Sequence, residues 1–213
     1  MSSASAGALA GVPVGVFDGP MGEIVVLRHG QTEWSRSGQH TSVTDLPLLP
    51  EGEDQARALR ETLGRRAYAE VWVSPRLRAR RTAELAGLVP TGIDEDLVEL
   101  DYGGYEGRST AEISDELGRT WSIWVDGTIP GESPGESLSD VAKRVDRVLD
   151  RARKRLSDGD VALVAHGHVL RILAARWLRL GPEAGALFAL SAGRYGVLGH
   201  EHARQVLTAW SLP

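Results

Sequence analysis

Short β-branched runs alternate with longer stretches of helical spacing, and this alternation narrows the fold more than any other feature of the chain. Ile24–Leu27, Val71–Val73 and Val161–Ala165 read as strands, the last being the clearest. Between them, Ala56, Leu59 and Leu63 give Glu51–Leu63 an amphipathic helical spacing, and a second helix is expected from Leu77 to about Leu88. Ile113, Leu117, Trp121 and Trp124 predict a helix across Thr110–Val125, and Leu97–Tyr102 reads as extended up to Gly103 and Gly104. Ser137 is placed to cap a helix running to about Leu156, with Asp140 three residues on, and another helix opens after His166 and Gly167. Strands that alternate with helices call for an α/β fold of three layers, a mostly parallel central sheet flanked by helices.

A chain of 213 residues is long enough for one domain with a full core. That domain is expected over residues 21–213, with residues 1–20, rich in Ala, Gly and Ser, as a disordered N-terminal tail. Met21 stands directly before the first strand and is an alternative start. The tail lacks the basic beginning of a signal peptide, and no stretch is apolar for the roughly eighteen residues of a membrane span. Cysteine is absent, which removes disulfides and thiolate chemistry and fits a cytoplasmic address. The net charge of −5 argues against nucleic-acid and membrane-surface partners, which select basic faces.

In open α/β sheets, ligands bind beyond the carboxyl ends of the strands. Three strands here finish in reactive or cationic residues: Arg28 with His29, Ser74 with Arg76 and Arg78 just beyond, and His166. Each alone is a common accident. Together they form a cationic nest suited to a phosphoryl dianion, since arginine forks match phosphate oxygens and keep their charge at any working pH. Such a nest supplies the charge that a metal would otherwise bring.

Four ordered segments carry a family resemblance: Leu27–Trp34 (LRHGQTEW), Ser74–Ala83 (SPRLRARRTA), Leu97–Gly107 (LVELDYGGYEG) and Val164–His168 (VAHGH). On these the chain resembles the histidine phosphatase superfamily, which contains cofactor-dependent phosphoglycerate mutases and many phosphatases, and whose fold is the phosphoglycerate mutase-like α/β sandwich. The resemblance implies His29 as nucleophile, Arg28 and Arg78 as phosphate clamps, a cationic His166 donating to a phosphate oxygen, and Glu99 as general acid. It implies a phosphomonoesterase with a phosphohistidine intermediate, no cofactor and no metal. Asp101 and Glu106 lie near enough in sequence to stand as alternatives to Glu99. The position after Trp34, often asparagine in the family, is Ser35, which keeps a hydrogen-bond donor for phosphate.

The mutases of the family carry an arginine after the acid and an arginine pair in a long insertion. Here Leu100 follows Glu99, and the short stretch after Gly107 holds only Arg108 and Arg119. Hydrolysis is therefore the expected outcome, with a cofactor-dependent mutase and a catalytically weak phospho-ligand-binding module as the alternatives. Segments Ser37–Gln39, Thr41 and Thr44–Leu48 add likeness to sedoheptulose bisphosphatases and actinobacterial broad-specificity acid phosphatases. This implies small phosphorylated metabolites as substrates, sugar phosphates or bisphosphates. Candidate substrate contacts are Ser35, Gln39, His40, Thr41 and His168, with Gln39, His40 and Thr41 set against an ordinary polar loop and His168 against a plain helix start. Glu132 and Glu136, in the duplicated loop Gly131–Ser137, are both left open as pocket residues. His200 and His202 are expected to be structural. A homodimer through Trp121 or Trp124 stands against core packing of both, with core the default.

Overall fold

The computed structural model describes residues 22–213, so the expected tail lies outside the described residues. Its sheet has six strands: β1 (Ile24–Arg28), β2 (Tyr68–Val73), β3 (Gly92–Ile93), β4 (Asp160–Ala165), β5 (Tyr195–Glu201) and β6 (Arg204–Leu212). Their order across the sheet is β3-β2-β4-β1-β5-β6. The first four run parallel, and β5 and β6 form an antiparallel hairpin against the open side of β1. The helices are α1 (Glu33–Ser37), α2 (Pro50–Ala58), α3 (Arg60–Leu63), α4 (Leu77–Leu85), α5 (Thr110–Leu117), α6 (Ile123–Asp126), α7 (Leu138–Arg153) and α8 (Gly167–Trp177).

The unbroken apolar character of β1 and β4 follows from burial on both faces. Ile24, Val26, Val161 and Leu163 turn toward α7 and α8, where Val145, Val148, Leu149, Ile172 and Trp177 complete one core. Val25, Leu27, Ala162 and Val164 turn the other way, onto Leu59, Leu63, Ala79 and Ala83. Each of the larger apolar side chains so buried stabilises the fold by about 1.5–3 kcal/mol before its ordering cost. Trp121 belongs to the first core at 2% exposure, so it is not a surface dimer contact.

Three expected elements differ in their limits. The helix over Glu51–Leu63 divides at Leu59, whose backbone is helical but whose N–H turns back to Ala56. The helix over Thr110–Val125 is two helices, because Gly118 takes a left-handed conformation (φ 63°) and caps α5. Leu97–Tyr102 joins no strand: a 3₁₀ turn at Glu95–Leu97 leads into a loop whose N–H groups are taken by side chains. Ser137 does cap α7, accepting the Asp140 N–H at 3.1 Å. Among the described residues, no helix is long and apolar enough to cross a membrane.

What this topology does for function is local. β2, β4 and β1 are adjacent and parallel, so Ser74, His166 and His29 emerge side by side at one sheet edge.

Candidate active site

His29 leaves β1 with its N–H still bonded to Ala165 in the neighbouring strand, at 3.0 Å. Its ring is turned by a second bond, 2.8 Å from Nδ1 to the Gly30 carbonyl. A carbonyl can only accept, so Nδ1 carries the proton and Nε2 keeps its lone pair. Burial, reinforced by the charges of Arg78 and Arg28, holds this imidazole well below its ordinary value. A neutral ring with a free Nε2 is the form a histidine nucleophile needs. Gly30 is required here by space: a Cβ on it would lie 2.2 Å from the Gly52 carbonyl oxygen, where α2 packs directly on the turn.

His166 lies beside His29, ring centroids 5.2 Å apart, and is fully buried. Its Nδ1 accepts from Arg78 Nε at 3.1 Å, and its Nε2 meets Ser74 Oγ at 2.7 Å. An acceptor Nδ1 makes the ring neutral, with the Nε2 proton given to Ser74. The expectation of a cationic His166 is thus corrected for this state. Burial comes first, and the positive charge of Arg78 adds to it, holding His166 well below its ordinary value.

Arg78 is likewise fully buried. Its remaining nitrogens donate to the carbonyls of Thr44, Thr41 and Ser42, at 3.0, 3.2 and 3.3 Å. It sits beneath the cavity as a brace between His166 and the loop of residues 41–44. Arg28 is the arginine that lines the cavity. One of its ends is anchored on the Leu190 carbonyl at 2.6 Å, while its buried Nε has no partner among the described residues. A Cβ at Gly167 would lie 3.1 Å from the Arg28 Cζ, so the glycine at the start of α8 makes room for this guanidinium.

Glu99 is 5% exposed and hangs from three backbone N–H groups. Oε1 accepts from Leu100 and Val169, both at 2.9 Å, and Oε2 accepts only from His168, at 3.0 Å. Two of these donors belong to the first turn of α8, where orphan N–H groups and the helix dipole favour a carboxylate. Oε2 retains a lone pair for a proton. The alternatives to Glu99 are otherwise engaged. Glu106 accepts the N–H groups of Ser42 and Thr44, each at 3.0 Å, and Asp101 accepts from Gly103, Ser133 and Gly135.

Arg28, His29, Ser35, Gly38, Gln39, His40, Thr41, Glu99, Tyr102 and His168 line one cavity of about 150 Å³. That is below the roughly 300–1,000 Å³ of sites for drug-sized ligands and suits a small ester. All five expected substrate contacts line it, but several are already engaged. Ser35 Oγ completes the cap of α1, accepting from the Thr32 N–H at 2.8 Å and donating to the Thr32 carbonyl at 3.1 Å. Gln39 bridges Gly107 and Ser37, and Thr41 donates to the Gln39 carbonyl. His40 stacks on Tyr102 at 4.6 Å, and burial pushes it down to about 4. Neither Glu132 nor Glu136 lines the cavity, and Glu136 is paired in bidentate fashion with Arg144. His200 packs on Trp177, and His202 occupies the tight turn between β5 and β6.

Tyr102 was not expected in the site. It is buried, and its hydroxyl lies 2.6 Å from His168 Nδ1. Its place three residues after Glu99, inside the resemblance segment Leu97–Gly107 and before the turn at Gly103, is the sequence signal that could have found it. Trp124 packs tilted on His168 at 5.0 Å and under the Arg171 guanidinium at 4.6 Å, which accounts for its half-buried ring. Among the described residues, no three His, Asp or Glu side chains converge as a metal-ligand set.

The family model for the histidine phosphatase superfamily (branch 1) matches residues 24–213. The sedoheptulose 1,7-bisphosphatase of Saccharomyces cerevisiae is 38% identical over 185 residues, 75% of this chain and 68% of its own. An acid phosphatase of Mycobacterium tuberculosis is 36% identical over 191 residues, 89% of this chain and 92% of its own. A solved structure of an open reading frame product from Mycobacterium tuberculosis superposes with a TM-score of 0.83 at 35% identity, covering 90% of this chain and 97% of that one.

Proposed function

The chain belongs to the histidine phosphatase superfamily and is a phosphatase of that group; we propose that it hydrolyses small phosphorylated sugars through a phosphohistidine on His29. The observation that carries this reading is the free, unprotonated Nε2 of His29 in a cavity it shares with Arg28 and Glu99. Nε2 attacks phosphorus while the ester oxygen departs, and Glu99 Oε2 gives that oxygen its proton. Arg28 Nε, already desolvated, meets the phosphoryl oxygens, and Arg78 adds fixed charge from behind the ring. His166, whose ring lies 5.2 Å from that of His29, borders the phosphoryl site, and a bound dianion offsets the arginine charge around it and favours uptake of a proton from solvent. In the second half, Glu99 takes a proton from water as water attacks phosphorus. The P–N bond breaks, and the neutral ring returns.

The mutase alternative finds little support. Leu100, after the acid, is fully buried in the core. Arg108 and Arg119 are committed to Glu116 and Asp126. No arginine pair is left there to grip a substrate carboxylate, so water reaches the phosphoenzyme. The test is release of inorganic phosphate from sugar mono- and bisphosphates and phosphoglycerates, in chelator, with His29→Ala as control. Release that vanishes in the control is expected. Interconversion of phosphoglycerates without release would replace this reading by the mutase.

A further inference from the structure

Phosphate chemistry accounts for the floor of the cavity but not for the paired Tyr102 and His168 on its wall. The Tyr102 hydroxyl is buried at 2% exposure, and its one partner among the described residues is His168 Nδ1 at 2.6 Å. If Nδ1 carried the proton, that hydroxyl hydrogen would be left without an acceptor, a cost that native interiors avoid. The hydroxyl therefore donates, Nδ1 accepts, and the ring proton sits on Nε2. Nε2 has no partner among the described residues, while the ring lines the cavity. Trp124 and His40 frame the ring at 5.0 and 6.1 Å, fixing its plane. The backbone N–H of the same residue holds Glu99 Oε2 at 3.0 Å. His168 is thereby anchored beside the group that protonates the departing alcohol.

We propose that Tyr102 acts as a positioning residue that locks His168 as a neutral Nε2–H donor, aimed at an uncharged oxygen of the alcohol half of the substrate. The cavity on this account selects polyol phosphates, with a hydroxyl or ether oxygen near the ester, over aryl phosphates that lack one. The proposal rests on the phosphatase reading of the site and adds the residues that recognise the alcohol half of the substrate. Charge supports the same assignment. Burial first, then Arg171, His40 and Arg28, hold the His168 ring well below its ordinary value, so it stays uncharged at working pH. Burial and nearby Glu99 hold the Tyr102 phenol well above its own, so it remains a donor. A neutral donor meets a sugar hydroxyl without drawing a second phosphoryl dianion into the place of the alcohol.

The experiment compares kcat/KM for fructose 1,6-bisphosphate and for phenyl phosphate in the full chain and in Tyr102→Phe, His168→Leu and His168→Gln. Ring ¹⁵N–¹H spectra of the full chain and of Tyr102→Phe are recorded alongside. The ratio of the two kcat/KM values is expected to fall about three- to tenfold in Tyr102→Phe, chiefly through KM, the size of one neutral hydrogen bond. It falls at least as far in His168→Leu and largely returns in His168→Gln, whose amide offers an N–H near the Nε2 position. The spectra should show the Nε2-protonated tautomer of His168 in the full chain and its loss or exchange in Tyr102→Phe. A ratio that stays constant while both activities drop together would reduce the pair to packing and overturn the proposal, as would an Nδ1-protonated ring. Release from neither substrate by the unaltered chain would overturn the phosphatase reading and the proposal with it.

Discussion

On the floor of the cavity, the reacting groups are oriented by backbone, at a strand end and at the start of α8, whereas on its wall side chains are held by one another. His29 is fixed by the ladder bond to Ala165 and by its own next carbonyl, and Glu99 hangs from three backbone N–H groups. The wall is assembled differently. Glu106 pins the loop carrying Ser42 and Thr44, Gln39 ties that loop to Gly107, and Tyr102 stacks on His40 while holding His168. A backbone-built floor admits little variation without loss of chemistry. A wall built from side chains is free to vary in shape, and specificity can change there while the chemistry is retained.

Substitutions on the two regions should therefore separate in kcat and KM. The largest effect belongs to the floor. Glu99→Gln keeps the shape and removes the proton, and should lower kcat on sugar phosphates by about 10²–10⁴-fold. On p-nitrophenyl phosphate, whose leaving group needs no proton, the first half-reaction should suffer far less. The same role predicts faster turnover at mildly acidic than at alkaline pH on a chemistry-limited substrate. A profile flat from about pH 5 to 9 would contradict it.

Next comes the wall. Glu106→Ala frees two N–H groups of the loop at residues 42–44, and KM should rise about tenfold with kcat little changed. A fall in kcat as large as that of Glu99→Gln would erase the distinction between the regions.

The smallest effect is shared by both. His29, His166, His40 and His168 are all held neutral by burial, with folded values below the ordinary 6.5. The unfolded chain then binds more protons below that pH, so the stability is present above about pH 6.5 and is lost as pH falls. Urea unfolding between pH 7 and 5 should show this decline. His40→Phe removes one such group, whose folded value is about 4, and should flatten the slope by up to about 1.4 kcal/mol per pH unit. An unchanged slope would show that His40 is charged in the folded protein.

The same division explains what the sequence disclosed. Arg28, His29 and His166 could be placed in one site from strand ends alone, because a parallel sheet delivers the residues after adjacent strands to one edge. The functional assignment of Glu99 needed the family motif, since it lies in an irregular loop with no period to place it. The Tyr102–His168 pair joins residues 66 apart in sequence, and no local pattern encodes such a contact. Ser35 looked like a phosphate donor, yet its hydroxyl is taken by the cap of a five-residue helix too short for periodicity to reveal. The long helix expected over Thr110–Val125 ended at Gly118 because a left-handed cap outweighed continuous apolar spacing.

The central claim is that the phosphoryl group rests on His29, and rapid mixing with a sugar phosphate followed by an alkaline quench tests it most directly, since phosphohistidine survives base. Tandem mass spectrometry should then find the phosphoryl group on the peptide that contains His29, with the ³¹P signal of an Nε2 phosphoramidate, and none in His29→Ala. Turnover with inversion at phosphorus and no labelled histidine would mean that water attacks the ester directly and that His29 is not the nucleophile.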